Sequence, residues 1–158
     1  NDLEDVLTSL EHKIKKDVGQ MDYKTNVQGQ MTNFKQYNHD PDFHKILKIW
    51  LNCKAQFKML HNYIDKINVI DSWANVLNKD DYVHKHDHID FHFNSVLYFN
   101  ETQINIENTD INVARGDIVT MFGFMKHYVK KDNYNNRISL AWNWNAIYEN
   151  AWSKNENN

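Results

Sequence analysis

Four histidines crowd into one short stretch of the chain. They are His84, His86, His88 and His92. Alternating polar and apolar residues predict a strand over 82–93, on which these histidines and Asp90 share one face. Histidine is the commonest metal ligand in proteins. The stretch is therefore a candidate metal-binding strand.

Strand geometry limits how many of these side chains can reach one ion. Residues two apart lie about 6–7 Å from each other along a strand, and residues four apart about 13 Å. One ion can therefore take only an adjacent pair, and another element must supply a third ligand. His127, which follows a predicted strand over 117–122, is the candidate. The residues alone equally allow a solvated histidine face or a tract that binds metals adventitiously.

A second feature is Arg137, one of only two arginines in a chain of 158 residues. It stands ten residues after His127 (137 − 127) on a predicted strand, where Ser139 shares its face. A guanidinium forms a bidentate, charge-assisted pair with a carboxylate, which lysine cannot reproduce. Arg137 and Ser139 therefore predict a carboxylate-binding pair, and a surface position or a structural ion pair of Arg137 is the alternative.

Two regions of different periodicity must position these residues. Residues 1–65 show helical spacing, with an amphipathic helix over 2–16 and a second helix that begins at Asp40-Pro41 and carries its apolar stripe to Ile64. From residue 66 the period changes to two. The predicted strands are 67–78, 82–93, 95–100, 102–107, 110–114, 117–122, 127–131 and 137–147.

The segregation of helices from strands predicts a single α+β domain over 1–158. In this domain, 1–65 is a helical support region that packs on one sheet. Residues 66–150 form a β-sandwich or barrel core, and 151–158 form a frayed polar tail.

The composition excludes several classes of function. A single Cys rules out an internal disulfide and a cysteine zinc site. A net charge of −3 gives no overall electrostatic footprint for nucleic acid or an anionic membrane, and a local contact with either stays open. No apolar run is long enough to span a bilayer. We expect a soluble, intracellular protein with no membrane partner.

Several short motifs follow one another along the chain in a defined order. They are Trp73-Ala74-Asn75, His86-Asp87-His88, Ser95-Val96-Leu97-Tyr98, Gly116-Asp117-Ile118-Val119, His127 and Arg137-Ile138-Ser139. Over roughly 70–145 this order resembles the iron(II)/2-oxoglutarate-dependent dioxygenases, in particular a compact branch common in bacterial and marine phage genomes. The resemblance implies a double-stranded β-helix, or jelly roll, with the metal inside.

The resemblance also implies a ligand set for the metal. His86 and His127 match the two histidines of the family. The usual pattern has a carboxylate two residues after the first histidine, and the register set by Tyr82 and by 95–98 puts His88 there. A shift by two residues gives His88-Ile89-Asp90 instead. The expected set is therefore His86, His88 and His127, with Asp90 as the alternative strand ligand.

The cofactors implied by the resemblance are Fe(II) and 2-oxoglutarate. Arg137 would bind the far carboxylate of 2-oxoglutarate with help from Ser139 and Tyr98, while Asn75 and Trp142 would line the pocket. The implied reaction uses dioxygen to hydroxylate a C–H bond of a small-molecule or protein substrate, releasing succinate and carbon dioxide. A nucleic-acid substrate is disfavoured by the charge.

Other implications of the resemblance remain open at this point. It places the protein in the cytoplasm of a bacterium or of a phage-infected host, and it predicts no oligomeric state. Two alternative functions are a cupin-like metal-binding protein with three histidines and a non-enzymatic jelly-roll interaction module of a phage.

Overall fold

Two helices and ten strands form the part of the chain that the computed structural model describes, residues 2–19, 25–53 and 66–147. The helices are α1 (Asp2–Asp17) and α2 (Pro41–Asn52). The strands are β1 (Val27–Gln28), β2 (Gln30–Met31), β3 (Lys66–Leu77), β4 (Tyr82–His86), β5 (Phe93–Tyr98), β6 (Thr102–Ile106), β7 (Thr109–Val113), β8 (Ile118–Phe122), β9 (His127–Val129) and β10 (Arg137–Ile147). Neither helix is long and apolar enough to cross a membrane.

The strands form two antiparallel sheets of five strands each. The major sheet has the order β2-β3-β10-β5-β8, and the minor sheet has the order β1-β4-β9-β6-β7. From β3 to β10 the chain passes back and forth between the two sheets, which is the topology of a double-stranded β-helix. The prediction of an α+β jelly roll with N-terminal helices is confirmed.

Both helices begin close to the predicted positions, and α1 also ends close to its predicted end, whereas α2 ends at Asn52. Apolar residues at three- and four-residue spacing give α1 one buried stripe, which consists of Val6, Leu7, Leu10 and Ile14. The side chain of Asp40 accepts hydrogen bonds from the N–H groups of Asp42 and Phe43, and Pro41 is the first helical residue of α2. The predicted continuation of this stripe to Ile64 lies outside the described residues, as does the tail 151–158.

Both helices cover the outer face of the major sheet. Trp142 of β10 has no solvent exposure and contacts the rings of Phe43 and Trp50 edge-on. Leu10 and Leu140 are likewise fully buried in this cluster. Each such side chain contributes roughly 1.5–3 kcal/mol of hydrophobic stabilisation. The helical region therefore supports the sheet from outside and leaves its inner face free.

The space between the two sheets holds a second apolar cluster. The major sheet contributes Trp73, Val96, Met121 and Ala141, and the minor sheet contributes Ile104, Ile106 and Val113. Because side chains alternate along a strand, every second residue of β10 from Arg137 onward faces this interior. This alternation decides which polar residues can reach a site inside the barrel.

The predicted strand 82–93 is divided in two in the structure. β4 ends at His86, and the segment 87–92 turns away before β5 begins at Phe93. In this segment the His88 N–H donates to the Gly123 carbonyl at 2.7 Å, and the Phe91 N–H donates to the His88 carbonyl at 2.9 Å. The backbone is thus hydrogen-bonded to a distant turn, so the histidines of 84–92 do not share a single strand face.

Candidate metal centre and adjoining pocket

Three histidines meet in the interior of the barrel. His86 at the end of β4 pairs in register with His127 of β9, with the ring centroids 4.4 Å apart. His88 follows in the turn, and its ring lies 5.0 Å from that of His86 and 5.1 Å from that of His127. One ligand atom from each of the three lies within 4.8 Å of the other two. This spacing lets all three coordinate one ion.

Backbone carbonyls orient two of these rings. His86 Nδ1 lies 2.7 Å from the His84 carbonyl, and His127 Nδ1 lies 3.2 Å from the Met125 carbonyl. A carbonyl only accepts, so each Nδ1 carries the proton and each Nε2 keeps its lone pair. Both Nε2 atoms are therefore available as metal ligands.

His88 depends on a close backbone approach at Gly123. The Gly123 carbonyl accepts from the His88 N–H, and the Gly123 N–H donates to the His92 carbonyl at 2.9 Å. A Cβ on Gly123 would overlap the Phe91 carbonyl oxygen and lie 2.6 Å from that of His88. Only glycine allows this approach. Sequence reasoning missed this residue, although its position in a Phe-Gly-Phe turn just before His127 is a signal.

Burial keeps the imidazoles neutral. It lowers the pKa of His86, and with the neighbouring histidines it lowers the pKa of His88 to about 3. The same causes lower the pKa of His127 to about 4. Metal binding requires the neutral ring. The cluster therefore presents nitrogen lone pairs at neutral pH without first losing protons.

The remaining candidates on the predicted strand lie outside the cluster. Asp90 is exposed in the turn and is absent from the group of ligands that the described residues bring together. His84 and His92 are also exposed. His92 Nδ1 accepts a hydrogen bond from the Ala146 N–H at 3.1 Å, which joins the turn to β10.

A row of three polar side chains crosses the interior face of the major sheet. Ser139 of β10 is directly opposite Asn75 of β3 on one side and Tyr98 of β5 on the other. The Asn75 Oδ1 and the Tyr98 hydroxyl are buried and have no hydrogen-bond partner among the described residues. Burial raises the pKa of Tyr98, so its hydroxyl stays protonated. Unsatisfied polar atoms of this kind are costly unless a ligand or water satisfies them.

Arg137 lies on the same face, two residues before Ser139. It is 5% exposed, and its Nη atoms donate to the carbonyl oxygens of Asn78, Asp81 and Lys130. Its buried Nε–H has no partner, and no carboxylate among the described residues forms an ion pair with it. Burial lowers the pKa of Arg137, and a bound carboxylate would offset that cost.

Trp142 lies on the opposite face of β10. It belongs to the cluster under the helices, where it contacts Phe43 and Trp50. The expectation that it lines the pocket is therefore not met. In its place Trp73 of β3 faces the interior, with its ring 5.7 Å from that of His88.

Comparison with solved structures supports the fold. A prolyl-4-hydroxylase from Pseudomonas putida superposes with a TM-score of 0.65 at 11% identity, over 90% of this chain and 87% of that chain. A 2OG-Fe(II) oxygenase family protein from Burkholderia pseudomallei gives 0.63 at 13% identity, over 88% and 77%. The viral collagen prolyl hydroxylase of Paramecium Bursaria Chlorella virus-1, in a 2OG complex, gives 0.61 at 16% identity, over 90% of each chain.

The chain has the fold of these oxygenases. No protein-family model and no curated protein matches the sequence of this chain. The likeness at these identities therefore concerns the double-stranded β-helix, and the site residues rest on the geometry described above.

The donor set fits a first-row transition metal. Imidazole nitrogens suit iron, zinc, copper and nickel, and three ligands on one side of an ion leave positions open for other molecules. Iron oxygenase sites usually have two histidines and one carboxylate. Here the third donor of the cluster is the nitrogen of His88, so the ligand set is neutral.

Proposed function

We propose that the chain is an iron(II)- and 2-oxoglutarate-dependent oxygenase that hydroxylates a C–H bond of a small-molecule or protein substrate. One observation carries the proposal. Three neutral imidazoles share one interior with a buried guanidinium that has no carboxylate partner among the described residues. Between them lies a polar row with two unsatisfied atoms, Asn75 Oδ1 and the Tyr98 hydroxyl. The fold shared with known oxygenases supports it.

In this proposal His86, His88 and His127 hold the iron through one nitrogen each. The carbonyl contacts at His84 and Met125 fix the rings of His86 and His127 before the metal arrives. Such fixed orientation raises affinity because little conformational freedom is lost on binding. His88 replaces the usual carboxylate, so we expect weaker iron binding than in a site with two histidines and a carboxylate.

The polar row and Arg137 fit 2-oxoglutarate, a dicarboxylate with a keto group. The buried Nε–H of Arg137 is available to one carboxylate, and the hydroxyl groups of Ser139 and Tyr98 are further donors. Asn75 contributes an amide beside them. A dicarboxylate bound here would accept hydrogen bonds from the Arg137 Nε–H and the Tyr98 hydroxyl, two buried donors that have no partner among the described residues.

In this reaction the residues of the chain would position the iron and 2-oxoglutarate and exclude water from the space around them. When bound, iron(II) and 2-oxoglutarate would supply the dioxygen-dependent decarboxylation to succinate and carbon dioxide and the oxidant for the substrate C–H bond. Trp73, Val96 and Ala141 form an apolar row beside the polar one, in register across three strands. This row keeps water from the space next to His88, where the reacting atoms would meet.

The test is anaerobic reconstitution with Fe(II), followed by titration with 2-oxoglutarate while the weak visible charge-transfer band and the thermal midpoint are recorded. We expect the band and a stabilisation in the native protein. Arg137→Lys should weaken 2-oxoglutarate binding by roughly 30-fold or more, since loss of a buried charged hydrogen-bond partner costs about 2 kcal/mol or more. Iron binding should not change.

Arg115→Lys is the matched control. Arg115 lies outside the barrel and donates to Glu4 and Glu11 of α1, so its replacement should leave 2-oxoglutarate binding unchanged. Absence of both the band and the stabilisation in the native protein would refute the proposal. Iron binding without 2-oxoglutarate binding would favour a cupin-like metal protein with three histidines. Binding of neither would favour an interaction module.

A further inference from the structure

A second polar row crosses the interior of the major sheet, on the other side of the apolar row. Asn143 of β10 is directly opposite Asp71 of β3 and Asn94 of β5. These residues lie one two-residue step, about 6–7 Å, beyond Trp73, Ala141 and Val96. Trp73, whose ring contacts that of His88, thus stands between the two polar rows.

The hydrogen bonds within this row all run in one direction. Asn94 Nδ2 donates to Asn143 Oδ1 at 2.9 Å, and Asn143 Nδ2 donates to Asp71 Oδ2 at 3.5 Å. Asn94 is 1% exposed and Asn143 is 3% exposed, whereas Asp71 is only partly buried. The chain of amides therefore leads from the core to a carboxylate that an incoming molecule can reach.

The groups left free in this row are acceptors. Asn94 Oδ1 is buried and has no partner among the described residues. Asp71 forms no ion pair with any lysine or arginine side chain that the structure describes in 2–19, 25–53 or 67–147. A half-buried carboxylate and a buried amide oxygen, neither of which has a cation or donor partner in the described part of the chain beyond the Asn143 amide, both favour a ligand rich in N–H groups.

We propose that the row formed by Asp71, Asn143 and Asn94 binds a positively charged amine of the substrate. The inference rests on the proposed function, because it takes the iron at the three histidines as the reacting centre. The row of Asn75, Ser139 and Tyr98 and this second row lie on opposite sides of Trp73, the residue whose ring contacts His88. If Asp71 holds the amine of the substrate, a nearby carbon of that substrate would face the metal. It would approach the metal from the side of Trp73 opposite to the 2-oxoglutarate.

The charge of the site agrees with this assignment. The metal ligands are neutral, and the cationic Arg137 lies at the far end of β10, six residues from Asn143 (143 − 137). Asp71 is the charged side chain of the second row, so the row itself carries a negative charge. A carboxylate or phosphate substrate would be repelled at this position, whereas an ammonium group would be attracted.

The test uses three probes with the same carbon skeleton and different head groups: 1-pentylamine, 1-pentanol and pentanoate. Each is titrated into the Fe(II)-loaded protein with and without 2-oxoglutarate under anaerobic conditions, and the thermal midpoint reports the affinity. We expect the amine to bind more tightly than the alcohol and the carboxylate. Asp71→Asn, which preserves the shape, should lower amine affinity by roughly 10- to 100-fold.

Two further variants control the result. Asp71→Glu keeps the charge and should keep the preference for the amine. Glu101→Gln removes a negative charge from an exposed position in the β5–β6 turn and should leave all three affinities unchanged. Equal or tighter binding of pentanol or pentanoate, an unchanged amine affinity in Asp71→Asn, or no binding of any probe would overturn the inference.

Failure of the oxygenase assignment and failure of the amine inference give different experimental results. If 2-oxoglutarate produces neither a visible band nor a stabilisation, the oxygenase assignment fails, whatever the amine titration shows. If 2-oxoglutarate binds equally to the native protein and to Asp71→Asn while the amine preference is missing, only the substrate inference fails.

Discussion

His86 and His127 face each other across β4 and β9 as a register pair, with ring centroids 4.4 Å apart. Two of the three candidate ligands are thus fixed by the hydrogen bonding of the minor sheet. The third, His88, lies just beyond the end of β4 and is held by a turn. The site therefore has a rigid pair and a member whose position depends on the neighbouring loop.

The ligand set can be tested by comparing His88→Ala with Asp90→Ala. At metal sites, loss of a residue that hydrogen-bonds to a ligand weakens metal binding by roughly 10- to 100-fold. We expect His88→Ala, which removes a ligand itself, to weaken Fe(II) binding by at least as much. Asp90→Ala should bind iron as the native protein does, because Asp90 is exposed and outside the cluster. Anaerobic equilibrium titration measures both. Iron binding that survives in His88→Ala and fails in Asp90→Ala would assign the carboxylate as the ligand.

Much of the fold follows from patterns along the chain. The switch from helical spacing to alternation locates the start of β3, and Asp40 with Pro41 locates the start of α2. These are local signals, because capping and alternation depend on residues close in sequence. The break after His86 is different. It arises from hydrogen bonds to Gly123, which is distant in sequence and invisible to a local pattern.

In the site, too, some features follow from local sequence patterns and others depend on contacts between distant residues. Arg137 and Ser139 share a face in the sequence pattern and in the structure, and the register adds Asn75 and Tyr98 to their row. The same alternation places Trp142 on the opposite face, so its expected role conflicted with the pattern itself. Which buried polar atoms of this row lack a hydrogen-bond partner depends on cross-strand register, which the sequence does not reveal.

Gly123→Ala tests how far the turn controls the metal site. An added Cβ would overlap the Phe91 carbonyl and approach that of His88, so the turn must shift. We expect a loss of stability of about 1–3 kcal/mol, as for other overpacked positions, together with weaker Fe(II) binding. Chemical denaturation and metal titration measure the two effects.

Gly19→Ala is the matched control for this substitution. A Cβ at Gly19 meets no atom of the described residues within 4 Å, so we expect stability within about 0.5 kcal/mol of the native protein and unchanged iron binding. If Gly123→Ala binds iron as tightly as Gly19→Ala does, the turn does not position His88.

Tyr98→Phe separates a ligand-binding hydroxyl from ordinary core packing. The Tyr98 hydroxyl is buried and has no hydrogen-bond partner in 2–19, 25–53 or 66–147, and such a group costs roughly 1–3 kcal/mol. Its removal should therefore stabilise the ligand-free protein by about 1 kcal/mol. It should also weaken 2-oxoglutarate binding by roughly fivefold, the value of one hydrogen bond. Thermal unfolding with and without 2-oxoglutarate measures both.

Tyr37→Phe provides the comparison for Tyr98→Phe. Tyr37 is equally buried, but its hydroxyl donates to Asp17 at 3.4 Å. Its removal should destabilise the protein by up to about 1 kcal/mol and leave 2-oxoglutarate binding unchanged. A Tyr98→Phe protein that is no more stable than the native one and binds 2-oxoglutarate normally would contradict the assigned role.

Asp42 should make the contact between the helices sensitive to acid. Its carboxylate accepts from Ser9 and Lys13 of α1 and from Lys45 of α2, at 2.7, 2.8 and 2.9 Å. The hydrogen bonds from Lys13, Lys45 and Ser9 hold the pKa of Asp42 well below its usual range. A carboxyl whose pKa is lower in the folded state stabilises the protein above its unfolded pKa, and this stabilisation is lost as the pH falls.

We therefore expect Asp42→Asn to cost up to about 1 kcal/mol at neutral pH, because these partners are partly exposed. The difference from the native protein should shrink as the pH falls below about 4, where the unfolded carboxyl becomes protonated. Urea unfolding at several pH values measures it. Asp80→Asn, at an exposed turn residue with φ of 65° that asparagine also adopts, is the control and should leave the free energy of unfolding at neutral pH within about 0.5 kcal/mol of the native value. A penalty for Asp42→Asn that is equally large in acid would mean that the shape of the side chain, and not its charge, joins the helices.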